Sequence, residues 1–344
     1  MNICYVSPYP PQRGGIEAQV ESLVSALKDE HEIHVVTYGD RGREEDGVEF
    51  YEVDVNDTFL LRGAEFTWGA VKHLKEIGSD MDIIHAHPLH PSGTAAVLSR
   101  KFHDTPVLAT AHGSDLMRFS RKFPTTFFSS VGNGLDGLVC VSSFLEDRAR
   151  EIGIESEIHV VPNGVVLEEM KKVEEIDADE TVLFVGSLEE HKGPWEVLDV
   201  ASELPEYDFK LVGDGSLKER LGERIVDEDM ENVELLGELP RDEALSWIKS
   251  SDCVLMPSER EGFGMVALEA MALNTPVLVH DVPAVNEIVC EESVQDDFVE
   301  ALRRLEDDGF RENMVEKNQE RSKKYGMDRK VKKLEELYGD LKRA

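Results

Sequence analysis

Two carboxylates define the chemistry this chain is equipped to do. Glu261 lies in a glycine-broken turn of Pro257-Ser-Glu-Arg-Glu-Gly-Phe-Gly-Met-Val-Ala-Leu-Glu-Ala-Met-Ala-Leu273, and Glu269 follows inside the apolar run from Met265 to Leu273. A helical run this apolar is buried. A buried carboxylate costs several kcal/mol unless something hydrogen-bonds it. A ligand rich in hydroxyls would do so, and a buried Arg or Lys would do so in a merely structural way. The turn Gly262-Phe263-Gly264 leaves backbone N–H groups open at the start of that helix, a ready anion site. Polyol recognition beside an anion site points to a sugar or a nucleotide sugar.

Other residues with chemical meaning follow strand-like runs. Gly14-Gly15 lies between the first strand and a helix, where backbone can approach a phosphate and the helix N-terminus faces it. Ile83-Ile-His-Ala-His and Ala109-Thr-Ala-His-Gly-Ser-Asp115 end strands, which places His112 and Asp115 where ligands of such sheets bind. A zinc reading of His85, His87 and His90 lacks thiolates and HExxH spacing, and His85 or His87 reads as a satisfied structural histidine. Val160-Val-Pro-Asn-Gly-Val165 is a turn leaving the last strand of the first series. Leu183-Phe-Val-Gly-Ser-Leu-Glu-Glu-His-Lys-Gly193 runs from strand to helix start, and Lys192 is a suitable point charge for phosphate. Leu211-Val-Gly-Asp-Gly215 and the segment from Pro276 to Glu287 repeat the strand-end pattern. Asp80-Met-Asp82, Asp177-Ala-Asp179 and Asp227-Glu-Asp229 fit a DxD pattern, which chance supplies in a chain with 71 acidic residues.

The elements that position these residues alternate strand and helix. Expected strands are Asn2–Ser7, Ile33–Tyr38, Ile83–His87, Val107–Ala111, Gly137–Val141 and Ile158–Val161, then Thr181–Val185, Phe209–Val212, Val233–Leu236, Cys253–Met256 and Pro276–Val279. They are mostly Val/Ile/Leu runs without alternation, as in parallel strands buried on both faces. Amphipathic runs between them complete two doubly wound α/β units. The charged run Val165–Glu180 reads as an interdomain linker. This divides the chain into residues 1–165 and 166–326, with a basic amphipathic helix, 327–344, presenting Val331, Leu334, Leu337 and Leu341 on one face.

The chain of 344 residues carries 37 basic and 71 acidic side chains, a net charge of −34. Such a balance argues against nucleic acid as a partner, since polyanion binding needs basic patches. The acid is spread along the chain. It self-repels at low salt and is screened at high salt, which fits a high-salt cytoplasm and a halophilic host. Four scattered cysteines without a CxxC pair read as reduced, buried thiols of a cytoplasmic protein. No apolar run reaches the length of a spanning helix, and the N-terminus reads as a strand rather than a signal peptide.

Taken in order, these motifs resemble the retaining glycosyltransferases of family four, which have the GT-B fold of two Rossmann-like domains facing a cleft. The resemblance covers nearly the whole chain. It rests on Gly14-Gly15, His112-Gly-Ser-Asp115, Pro162-Asn-Gly-Val165, Gly186…Lys192-Gly193, Val212-Gly-Asp-Gly215 and Glu261-x7-Glu269. It implies that Gly15, beside Gly14, contacts a donor diphosphate through its amide and that His112 sits against the transferred sugar. It implies that Lys192 holds the diphosphate after Gly186-Ser187. Glu261 would bind donor-sugar hydroxyls, with Gly262, Phe263, Gly264 and Met265 at the adjoining helix start. Glu269 would hold the ribose, and the loop around Leu239 would lie near the base. The family needs no metal or cofactor, the donor being a nucleotide diphosphate-sugar such as a UDP-sugar or GDP-sugar.

The chain departs from the family pattern in places. Ser187 stands where an Arg is common, Pro283-Ala284 where Gly-Gly is common, and Asn274 replaces a common Gly. Pro283 has no N–H to offer a phosphate. The implied reaction is transfer to an acceptor hydroxyl with retained configuration, His112, Lys192 and Glu261 being the catalytic set. Closure about Asn163–Val165 would exclude water. Competing readings are a nucleotide-sugar epimerase of the same fold and a non-catalytic nucleotide-sugar-binding protein. The acceptor, a sugar or a lipid-linked molecule, would be read by loops Val55–Ala64 and Leu116–Thr126. The stretch Arg118, Arg121, Lys122, Phe123, Phe127 and Phe128 is basic and aromatic. It fits peripheral contact with an anionic lipid at the inner membrane face, or helix packing with solvated basic ends.

Overall fold

Short branched apolar runs form two separate parallel sheets. The computed structural model describes residues 1–9, 14–38, 45–55, 59–118, 124–178 and 180–343. These divide into two compact units, Met1–Gly164 with Met327–Ala344, and Val165–Gly326.

In the first unit, β1 (Asn2–Val6), β2 (Glu32–Tyr38), β3 (Val48–Val53), β4 (Ile83–Ala86), β5 (Val107–Ala111), β6 (Gly137–Cys140) and β7 (Ile158–Val160) make one sheet. Its order is β3-β2-β1-β4-β5-β6-β7, with every pair parallel. β4, β5 and β6 are buried throughout, which is why they are apolar without alternation save for His85 in β4 and Thr110 in β5. β3 was not among the expected strands. Its sequence, Val-Glu-Phe-Tyr-Glu-Val, is half exposed at the sheet edge, so it lacks the buried-strand signature. The helix Met327–Arg343 packs Leu334, Leu337 and Tyr338 into the same core as Ile3, Val20, Leu23 and Ile83. Burying leucines of this kind contributes roughly 1.5–3 kcal/mol each.

In the second unit, β8 (Thr181–Val185), β9 (Asp208–Val212), β10 (Val233–Gly237), β11 (Cys253–Met256) and β12 (Val277–Val279) form a sheet ordered β10-β9-β8-β11-β12, again parallel. Its core gathers Phe184, Leu198, Phe209, Leu221 and Leu255. The run read as a linker is instead part of this unit. Met170 is buried, Lys249 Nζ donates to the Val173 carbonyl at 2.7 Å, and the Ile176 amide donates to Ser250 Oγ at 2.8 Å. Among the described residues its charged side chains face water while its backbone is held.

Each sheet reverses its strand order once, between β1 and β4 and between β8 and β11. Ligands of open α/β sheets bind beyond the carboxyl ends of strands at such a reversal. Gly14-Gly15 follow β1, Lys192 follows β8 and Glu261 follows β11, whereas His112 follows β5. No helix of the described residues is long and apolar enough to cross a membrane.

Candidate functional site

In the second unit the loops after β8 and β11 are bound to each other. Gly193 has φ +71°, and a side-chain carbon there would lie 2.2 Å from the Pro257 carbonyl oxygen, so only glycine fits. The Glu259 amide donates to the His191 carbonyl at 3.0 Å. This close approach brings Lys192 to Glu261, with Nζ 2.6 Å from Oε1. Lys192 is therefore an ion-paired cation between two loops rather than a solvated surface lysine. Gly186 is pinned by its amide to the Val212 carbonyl, and Ser187 beside it is exposed.

The segment after Glu261 turns into the helix Met265–Leu273. Gly264 caps it in the left-handed region at φ 94°, and no side chain caps the helix start. Its first N–H groups are thus left to a ligand or solvent. Gly262 and Phe263 are buried, Phe263 standing edge-on to Tyr325 at 5.8 Å between ring centres. Met265 is half-buried. Asn274 ends the helix at φ 64°, a conformation asparagine tolerates best after glycine, which accounts for its replacing one. Pro283 is the first residue of the helix Pro283–Asn286, where its missing N–H costs no helical bond.

Glu269 is 7% exposed and has a cation partner after all: Arg241 Nη1 lies 2.8 Å from Oε1. Arg241 is not the buried arginine a structural pairing would need. It opens the helix Arg241–Ser250 and keeps its guanidinium exposed. Burial raises the Glu269 carboxyl, and Arg241 opposes that. Leu239 is half-buried, two residues before Arg241.

In the first unit Gly14 and Gly15 are exposed at the start of the helix Gly15–Leu27, which has no side-chain cap. A side-chain carbon at Gly15 would meet nothing within 4 Å, whereas one at Gly14 would meet the Glu17 carboxylate. His112 follows β5. Its Nε2 lies 2.9 Å from His87 Nδ1. Burial, with the charge of Lys330 and the neighbouring imidazoles, drives both rings well below the usual histidine range. Each is neutral near neutral pH, so one N–H is shared between them and Nδ1 is the ring atom His112 can offer.

Asp115 does not serve as a ligand group. It is fully buried and accepts from the amides of Leu89, Gly113 and Leu116 at 3.0–3.1 Å, folding the loop that carries His112. His85 is bound on both nitrogens, Nδ1 to Tyr338 at 2.6 Å and Nε2 to Thr110 at 2.8 Å. Neither nitrogen is left for a metal. Among the described residues no cluster of three or more His, Cys, Asp or Glu could hold a metal ion.

Asp82 lies before β4 and is tied to the Asn2 amide and Lys342. Asp179, Arg121, Lys122 and Phe123 fall outside the described residues. Phe128 is fully buried and packs edge-on against Phe127 and His90, so these two aromatics serve packing rather than a surface.

Sequence reasoning missed two cations. Arg241 occupies a helix N-terminus, where a positive charge opposes the helix dipole; that misplacement was the available signal. Lys330 sits on the apolar stripe of the last helix, four residues before Leu334, and is 4% exposed. Its Nζ donates to Gln19 Oε1 at 3.0 Å and Asn163 Oδ1 at 2.9 Å. Among the described residues no carboxylate joins them, and burial lowers the ammonium to about 7.

Two family descriptions match adjoining parts of the chain: Glycosyltransferase Family 4 over residues 13–169, and Glycosyl transferases group 1 over residues 166–324. An uncharacterized glycosyltransferase of Methanocaldococcus jannaschii is 30% identical over 353 residues, covering 99% of both chains. A phosphatidyl-myo-inositol mannosyltransferase of Propionibacterium freudenreichii is 27% identical, over 85% of this chain and 80% of its own. The Anabaena protein HepE, solved with UDP and glucose, superposes with a TM-score of 0.79 at 17% identity, covering 99% of this chain and all of its own.

Proposed function

The chain belongs to the family 4, group 1 glycosyltransferases with the GT-B fold, and from that premise we propose that it moves a sugar from a nucleoside diphosphate-sugar to an acceptor hydroxyl with retention of configuration. The observation that carries the reading is the pairing of Lys192 with Glu261 beside an uncapped helix start, one helix with Glu269. It offers a cation and free amides for a diphosphate, and two carboxylates for hydroxyls, in one place.

In this reading Lys192 and the amides at Gly264 and Met265 take up the charge of the departing diphosphate. Preorganised donors of this kind supply the larger part of such catalysis. Glu261 accepts from hydroxyls of the transferred sugar and Glu269 from the ribose, with Leu239 beside the base. In the first unit the Gly15 amide is assigned to the diphosphate and His112 to the sugar, as a neutral hydrogen-bonding ring. The bond from the anomeric carbon to the phosphate oxygen breaks as the acceptor oxygen bonds on the same face. The acceptor proton passes to the leaving phosphate oxygen. No metal step is invoked. The HepE complex supports a UDP-sugar donor, with a GDP-sugar as the other candidate. The mannosyltransferase relative supports a lipid-linked acceptor at a membrane surface.

A thermal-shift screen against UDP-, GDP- and ADP-sugars tests the donor class. One family of nucleotides should raise the unfolding temperature, and Glu269→Gln should abolish the rise. No shift with any nucleotide sugar contradicts the reading.

A further inference from the structure

Arg241 departs from the rule for its position. It is the first residue of a ten-residue helix, directly after Leu239-Pro240, where acidic residues are favoured and where Asp242 and Glu243 indeed follow. Its guanidinium nevertheless reaches a carboxylate buried in a different helix, at 2.8 Å. The side chain of Glu269 is 9% exposed while that of Arg241 is 40% exposed, so the pair spans the boundary between core and solvent. The 2.8 Å approach of Nη1 is to the Oε1 oxygen. Vicinal hydroxyls need a carboxylate that is ionised, fixed in direction and still open at an oxygen.

We propose that Arg241 is a positioning residue for ribose recognition, holding the Glu269 carboxylate by Oε1 so that the other oxygen accepts from the ribose hydroxyls. The proposal rests on the reading that Glu269 meets the donor ribose. The surroundings explain why a cation is required. The Met265–Leu273 helix packs on the helices Leu167–Met170, Arg241–Ser250 and Asp308–Ser322 and on β11 and β12. Among the described charged groups on these elements, Arg241 is the one with a resolved effect on Glu269, and it opposes the rise caused by burial. Without it the carboxyl takes up a proton more readily, and a protonated carboxyl presents an O–H to a hydroxyl that must donate.

The test compares binding of UDP and GDP with their 2′-deoxy counterparts across pH for the wild type, Arg241→Ala, Arg241→Lys and Glu269→Gln. The wild type should prefer the ribonucleotide by about tenfold, with little pH dependence near neutrality. Arg241→Ala should lose the preference on the acid side and regain it on the alkaline side, where Glu269 ionises unaided. Arg241→Lys should restore much of it. A merely structural role would weaken both ligands alike at every pH. A wild-type preference retained in Arg241→Ala but lost in Glu269→Gln overturns the inference and spares the ribose assignment. A preference indifferent to Glu269→Gln overturns the assignment itself.

Discussion

Lys192 and Glu261 form a short ion pair, Nζ to Oε1 at 2.6 Å, across the loops that follow β8 and β11. Both side chains are largely buried, so the pair is screened less than a surface bridge. The two residues act as one unit, the carboxylate aiming the ammonium across the two loops. In the proposed function, with Ser187 in place of a second cation, Lys192 would carry the charge of the phosphate site after β8. Lys192→Met should weaken nucleoside diphosphate binding by about tenfold or more while leaving binding of the free nucleoside unchanged. Calorimetry with UDP and uridine, or GDP and guanosine, measures both. Equal losses for both ligands would remove Lys192 from the phosphate site.

Lys330 makes stability depend on alkaline pH. Burial lowers its ammonium from 10.5 to about 7 in the folded chain. Between those values the unfolded chain binds more protons than the folded one, so stability rises with pH across the window. The slope is at most roughly 1.4 kcal/mol per pH unit. Below the window the cost of burying the charge is fully present. Lys330→Met should flatten the rise, read as the difference in unfolding free energy between wild type and variant at several pH values. Parallel curves would show that Lys330 does not titrate there.

The histidines act on the acid side. His85 is lowered from 6.5 to about 3 by burial, and His87 and His112 are driven well below 6.5 by burial, with Lys330 and the neighbouring imidazoles adding to it. A base with a depressed folded value contributes its stability above the unfolded value. That stability is lost as pH falls from about 6.5 toward the folded values. The unfolding temperature should therefore drop between about pH 7 and about pH 5, and His87→Leu should make the drop shallower. An unfolding temperature flat over that range would contradict the buried neutral imidazoles.

The charge balance makes its own prediction. With 71 acidic against 37 basic residues, self-repulsion opposes folding at low salt. We propose a high-salt working environment. Molar KCl, which shortens the screening length to about 3 Å, should raise the unfolding temperature. No rise removes the halophilic reading.

Much of this molecule was legible because its central strands are buried on both faces. Cys253–Met256 advertises itself as an unbroken apolar run, and Ile83–Ala86 and Val107–Ala111 are each interrupted by one polar residue, His85 and Thr110. β3 escaped notice because an edge strand keeps glutamates at 49 and 52. The run from 165 to 180 looked like a linker because composition reports side chains, whereas its backbone bonds to Lys249 and Ser250 decide where it belongs. The candidate-site glutamates, Glu261 and Glu269, stood out through spacing and apolar context. Their partners did not. Arg241 lies 28 residues before Glu269, and Lys330 meets Gln19 across 311 residues of sequence. Pairings of that range come from sheet order, which single residues do not announce. Asp115 misled for a related reason: a carboxylate at a strand end can serve a ligand or three backbone amides, and the sequence reads the same for both.

The most direct measurement is sugar turnover by Glu269→Gln and Lys192→Ala beside the wild type, with the nucleotide sugar selected by thermal shift and unfolding temperatures recorded for each. The account predicts a loss of about tenfold or more in each variant, with folding intact. Turnover near the wild-type rate in both would contradict it.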